Sequence, residues 1–175
     1  MNQTLPATYP IRPCCGHEVS ELADIELDAF LALKEAGGVT GDPVASDSLL
    51  LERSLADGLL FVATDEKDRL VGFVAATEVD DEMYIEELDV LRAFQGRGIG
   101  ARLMRVIIDR AAKRSLHRVT LTTDRLVPFN APFYEKLGFV ILEPEALSAN
   151  LLKRLSGQIA HGLDAERRVA MALDL

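Results

Sequence analysis

The stretch FQGRGIGARLM, residues 94–104, constrains this chain more tightly than any other part of it. Gly96, Gly98 and Gly100 alternate with larger residues, Arg97 stands between the first two, and a helix-patterned apolar run begins at once. In the first turn of a helix the backbone N–H groups lack intrahelical partners and carry about half a positive charge. With hydrogen in place of side chains, an anion can approach those donors closely. One glycine is enough for a turn, so this alternation implies a phosphate or pyrophosphate seat at a strand–loop–helix junction, with Arg97 adding a mobile positive charge.

Two familiar phosphate loops fit poorly. A Walker loop needs G-x-x-x-x-G-K-[ST], and no such run occurs. A dinucleotide fingerprint needs G-x-G-x-x-G, but after Gly96 and Gly98 the third glycine arrives one position early. Counting from Gly98 and Gly100 instead puts Leu103 where that glycine belongs. Asp124, after the next strand, would be the ribose-binding acid of that reading, so an NAD-dependent oxidoreductase stays as an alternative.

Around the loop, periodicity predicts an α/β domain. TYPIRP is a short strand stopped by Pro13. Leu22, Ile25, Leu27, Ala29, Phe30 and Leu33 recur at helical spacing before Gly37 and Gly38, and ASDSLLLERSLADG offers a Ser or Asp cap, a helix and a closing Gly58. LLFVAT and RLVGFVAATEV, joined by DEKD, read as a hairpin, and EMYIEELDV follows as a third strand. After the loop comes a helix over 99–115 with Ile99, Leu103, Ile107 and Ala111 on its apolar face. HRVTLTT is a strand, NAPFYEKLG a short helix opened by Asn130, FVIL a strand, 147–159 a leucine-striped helix and RRVAMALDL a last strand. The order is βααβββαβαβαβ, with antiparallel pairs first and a strand–helix–strand unit in the middle.

Charge is unevenly laid out. The net charge of −9 argues against a general nucleic-acid binder. Between Arg69 and Arg92 there is no Lys or Arg, yet Glu78, Asp80, Asp81, Glu82, Glu86, Glu87 and Asp89 lie there. From Arg92 to Arg118 the balance inverts, with Asp109 the lone acid. Either an anionic and a cationic ligand meet at the junction, or these are two solvated faces of opposite sign. No apolar run approaches the ~20 residues of a membrane span, and the N-terminus lacks the pattern of a signal peptide. Adjacent Cys14 and Cys15 make no disulfide framework, so a reducing, cytoplasmic setting is expected. With His17 they invite a metal or thiol reading, but no tetrahedral ligand set is spaced for it. The 175 residues suit a single domain, 1–175.

ELDVLRAFQGRGIGARLM resembles the acyl-CoA-binding motif of the GNAT superfamily of N-acetyltransferases, [QR]-x-x-G-x-[GA], whose fixed places Gln95, Gly98 and Gly100 fill. NAPFYEKLGF is similar to that superfamily's later segment, with one residue fewer between Ala131 and Phe133 than the fuller spacing. The resemblance implies a mixed, mostly antiparallel central sheet flanked by helices, and acetyl-CoA as co-substrate. The N–H groups of Gln95, Gly96, Arg97, Gly98, Ile99, Gly100 and Ala101 would hold its pyrophosphate. Polar edges of Leu88, Asp89 and Val90 would pair with the pantetheine arm, Asn130 would contact that arm, and Tyr134 would sit near the sulfur. A homodimer is common among such proteins.

The expected reaction is direct transfer of an acetyl group to a primary amine in a ternary complex. An alkyl ammonium has a pKa near ~10.4, so freeing it at pH 7.5 costs roughly 4 kcal/mol. Glu86 and Glu87 are candidate bases, and strict alternation sends them to opposite faces of their strand, so one should face the site. A backbone N–H near Leu88, Asp89 or Val90 would stabilise the oxyanion, and Tyr134 would protonate the leaving thiolate. The acidic run favours a cationic acceptor, either a small molecule or a peptide amine. A non-catalytic acyl-CoA-binding module is the other alternative.

Overall fold

In the computed structural model, residues 8–42, 45 and 47–175 are described. Five longer strands take up the β-branched and apolar runs: β2 (Leu60–Thr64), β3 (Leu70–Val79), β4 (Glu82–Val90), β5 (Arg118–Asp124) and β7 (Arg168–Asp174). Two short ones, β1 (Ile11–Pro13) and β6 (Val140–Ile141), close the edges. Helices α1 (Val19–Glu35), α2 (Ser48–Ala56), α3 (Ile99–Lys113), α4 (Ala131–Glu135) and α5 (Ala149–Ala160) complete the predicted order βααβββαβαβαβ. The strands form one sheet in the order β1-β2-β3-β4-β5-β7-β6. Every pairing is antiparallel except β4 with β5.

Local chemistry sets the ends. Asp47 caps α2 by accepting from the Leu49 N–H at 3.0 Å, while Ser46 lies outside the described residues. α3 stops at Lys113, two residues short of the predicted end, because Ser115 turns left-handed and the Leu116 N–H returns to the Ala111 carbonyl. Ser148 caps α5 by accepting from the Leu151 N–H, so Leu147 of the leucine stripe lies ahead of the helix.

Two cores sandwich the sheet. Leu103, Met104, Ile107 and Ala111 of α3 pack on Phe61, Val74, Met83, Ile85 and Leu121. On the other face Leu22, Ile25 and Leu51 of α1 and α2 meet Leu60, Val62 and Phe73, and Leu151 of α5 meets Tyr84 and Ala170. Burying each of these large side chains contributes about 1.5–3 kcal/mol. Of the α1 stripe, Leu22 and Ile25 reach the core, whereas Ala29, Phe30 and Leu33 line a cleft.

That cleft opens where β4 leaves β5. The two strands pair through Glu82, Met83 and Tyr84 against Arg118, Val119 and Thr120, and no further. On its other side β4 carries a bulge: Ala76 faces Ile85 and Ala75 faces Glu87, so Glu86 is the extra residue. The bulge also resets the alternation. Met83 and Ile85 face the α3 core before it, and Leu88 and Val90 face the same core after it. Glu86 and Glu87 therefore fall together on the opposite face, and both line the cleft. This corrects the expectation that alternation would separate them.

Close strand approach helps fix this geometry. A Cβ at Gly72 on β3 would lie 2.8 Å from the Asp89 carbonyl oxygen. Gly72→Ala should therefore destabilise the fold by about 1–3 kcal/mol through overpacking of backbone. Urea unfolding measures this, and an unchanged midpoint would contradict the close approach.

Candidate active site

The cleft has a volume of about 970 Å³ and runs from the glycine loop to the start of β7. Its walls bring together Glu86, Glu87, Leu88, Asp89 and Val90 of β4, the loop from Gln95 to Ala101 apart from Arg97, and Asn130 and Tyr134 of the α4 region. Residues spread over half the chain thus meet in one concavity.

The loop is built as a seat. Gly96 and Gly98 have φ of 73° and 76°, a conformation that costs other residues about 1–2 kcal/mol. Apart from its chain neighbours, no atom of the described residues lies within 4 Å of a Cβ placed on either one. Gly98 is the N-cap of α3 with no side-chain cap bond, so the first N–H groups of a fifteen-residue helix face the open loop. The Gln95 side chain donates to the Val90 carbonyl at 2.9 Å and ties the loop to the end of β4.

Arg97 is not the mobile cation expected. Its guanidinium donates to the Tyr9 hydroxyl at 2.6 Å and the Ala93 carbonyl at 2.9 Å, and lies over the Phe94 ring at 5.1 Å. Arg92 is likewise committed, to Asp28 and Glu35 of α1. Positive potential at the loop therefore comes from backbone N–H groups and the helix dipole.

Much of the acidic run is spent on structure. Glu78 pairs with Arg114 at 2.9 Å, and Glu82 pairs with Arg118. Glu86 receives both Nη atoms of Arg154, at 2.6 and 2.7 Å, and the Thr77 hydroxyl at 2.6 Å. These three contacts occupy both of its oxygens. Glu87 and Asp89 of β4 line the cleft beside it, joined by Glu26 from α1. Asp89 Oδ2 is shut off from solvent and accepts no hydrogen bond among the described residues. Burial first, then the charges of Glu87 and Glu26, push its carboxyl well above the usual range.

Tyr134 stacks edge-on against Phe133 and Phe139, with ring centroids 5.0 and 5.9 Å away. Burial, and after it the charges of Asp89 and Glu87, raise its phenol above the ordinary value, so it stays protonated. Asn130 precedes α4, and its carbonyl accepts from the Phe133 and Tyr134 N–H groups at 2.9 and 3.1 Å. The far wall is a polar network: the Thr122 hydroxyl bonds the Tyr84 hydroxyl at 2.7 Å, Gln158 Nε2 at 2.9 Å and Arg168 Nη2 at 3.3 Å.

Sequence reading missed Glu26, the Asp89 side chain and Arg168. Glu26 carried a signal, being an acid on the apolar stripe of a helix, between Leu22 and Ala29. Arg168 carried none, because its place depends on β7 inserting between β5 and β6.

A sequence profile of the acetyltransferase (GNAT) family matches residues 21–139. The probable N-acetyltransferase camello of Xenopus tropicalis is 26% identical over 151 residues, 78% of this chain and 69% of that protein. Among solved structures, an acetyltransferase of the GNAT family from Staphylococcus aureus superposes with a TM-score of 0.72 at 14% identity, over 96% of this chain and 99% of that one. N-acetylglutamate synthase from Neisseria gonorrhoeae, complexed with coenzyme A and N-acetyl-glutamate, gives 0.70 at 18% identity. That match covers 98% of this chain but only 36% of the synthase.

Asp89 generates a stability prediction. Below pH ~4 the carboxyl is protonated whether the chain is folded or not. As pH rises, the unfolded state ionises first, because the folded pKa is raised, and stability is lost across that window. Asp89→Asn removes this loss, so its melting temperature should exceed the wild type's at pH 7.5 and converge with it near pH 4. Equal melting temperatures at both pH values would contradict the buried carboxyl.

Proposed function

We propose that this chain, which belongs to the acetyltransferase (GNAT) family and is an acyltransferase by that membership, moves an acetyl group from acetyl-CoA directly to a primary amine. The observation that carries the reading is the single cleft joining an open helix N-terminus to the unpaired edge of β4. N–H groups of residues 95–101 take the pyrophosphate. Leu88, Asp89 and Val90 offer the pantetheine arm the strand edge that β5 leaves vacant. Asn130 lies beside that arm.

Glu87 is the base in this reading, since Glu86 is held by Arg154 and Thr77. It takes a proton from the acceptor ammonium, on an acidic wall shared with Glu26 that favours a cation. The freed nitrogen attacks the thioester carbonyl, forming the C–N bond, and a β4 N–H stabilises the oxyanion. As the C–S bond breaks, Tyr134 protonates the thiolate and recovers a proton from the amide nitrogen. The chain is read as one domain over 1–175 that acts in the cytoplasm on a small-molecule or peptide amine.

Glu87→Gln should lower kcat by about 10²–10⁴-fold at pH 7.5, and the loss should shrink as pH nears the pKa of the amine. Tyr134→Phe should lower kcat while leaving the Kd for acetyl-CoA within about twofold. Steady-state rates from thiol release, paired with calorimetry, check both. An unchanged kcat in either variant removes that residue from the mechanism.

A further inference from the structure

The charge balance across the cleft points to what the acceptor carries besides its amine. We propose that the acceptor bears a carboxylate and that Arg168 is the residue that selects it. This rests on the acetyl-transfer reading above.

Arg168 opens β7 and lines the cleft on the α5 side, in phase with Ala170, which packs against Tyr84 and Leu151. Its Nε and Nη2 donate to Gln158 Oε1 at 3.2 and 2.9 Å, and Nη2 also reaches the Thr122 hydroxyl. All of these partners are neutral. Nη1 makes no hydrogen bond among the described residues. Other arginines near the cleft have carboxylates: Arg92 has Asp28, Arg154 has Glu86, and the adjacent Arg167 has Asp124 at 2.7 Å. Among the described residues Arg168 has no ion pair.

Such an arrangement is costly unless a counter-charge arrives. Burial lowers the pKa of this guanidinium, yet an arginine does not deprotonate at working pH. A partly buried cation hydrogen-bonded only to neutral acceptors, with Asp124 and Glu87 acting on it from a distance, keeps part of its solvation penalty uncompensated. Gln158 and Thr122 take the Nε and Nη2 hydrogens and fix the guanidinium plane, which leaves the Nη1 N–H groups to donate to a carboxylate. Across the splay, Glu87 of β4 and Glu26 of α1 suit an ammonium. The cleft thus has an acidic wall and a cationic wall, complementary to a zwitterion. Phe30 and Leu33 of α1 supply apolar surface between them for a hydrocarbon side chain. The acceptor class is a free amino acid with an apolar side chain.

The test pairs acceptors that differ only in that carboxylate: leucine, methionine and phenylalanine, each against its α-amide. Wild-type kcat/KM should be at least about tenfold higher for the acids, a difference of about 1.4 kcal/mol. Arg168→Gln should erase the preference by raising KM for the acids, with the Kd for acetyl-CoA unchanged. Arg168→Lys, which keeps the charge but loses the fork, should retain part of it. Calorimetry with N-acetyl-leucine and N-acetyl-leucinamide reads the same selectivity without turnover, and the acid should bind about tenfold more tightly. Equal use or binding of acid and amide by the wild type overturns the proposal, as does a preference that survives Arg168→Gln. Failure to bind acetyl-CoA would instead sink the transfer reading, while acid-selective binding would still support the Arg168 site.

Discussion

The parting of β4 from β5 after Tyr84 is the constraint on which the rest of the site depends. Two parallel strands that stayed paired would bury every backbone group between them and leave no cleft. Here the bulge at Glu86 bends β4 away, so residues 85–90 lose a neighbour on one side while keeping β3 on the other. The same bulge turns two successive glutamates to one face and brings Leu88 and Val90 back onto the α3 core. One extra residue therefore makes the cleft, exposes a strand edge and concentrates acid in it.

The opening is then held by interactions at its rims. Arg92 joins the loop region after β4 to Asp28 and Glu35 of α1, and Gln95 joins the loop to the Val90 carbonyl. Arg154 of α5 reaches Glu86 on the bulge itself and lies over the Tyr84 ring at 3.7 Å. The Arg154–Glu86 pair is partly buried and bidentate, and its geometry matters more than its Coulomb energy. These contacts leave the loop glycines, Glu87, Asp89 and Arg168 facing the cleft.

Much of this was legible in the sequence, for identifiable reasons. The glycine loop and the α3 stripe are local signals, and the order of elements followed from periodicity alone. What was not legible was non-local. Alternation gives no warning of a bulge, because Glu86 and Glu87 read the same with or without one. The acidic run looked like a ligand-attracting field, yet Glu78 and Glu82 meet Arg114 and Arg118, more than thirty positions away. Arg97 looked like a phosphate ligand until Tyr9, 88 positions earlier, was found to hold it. Charge pattern predicts that acids and bases will meet, and only the fold decides which of them do.

The most direct test of the central claim, that the loop at the start of α3 seats the coenzyme's phosphates, is amide hydrogen exchange with and without acetyl-CoA. Exchange at each amide reports whether its N–H has gained a partner. Acetyl-CoA should slow exchange at residues 95–101 and at 88–90, and NAD should leave 95–101 unchanged. Exchange at 95–101 that saturating acetyl-CoA leaves untouched, or that NAD alone slows, would contradict the claim.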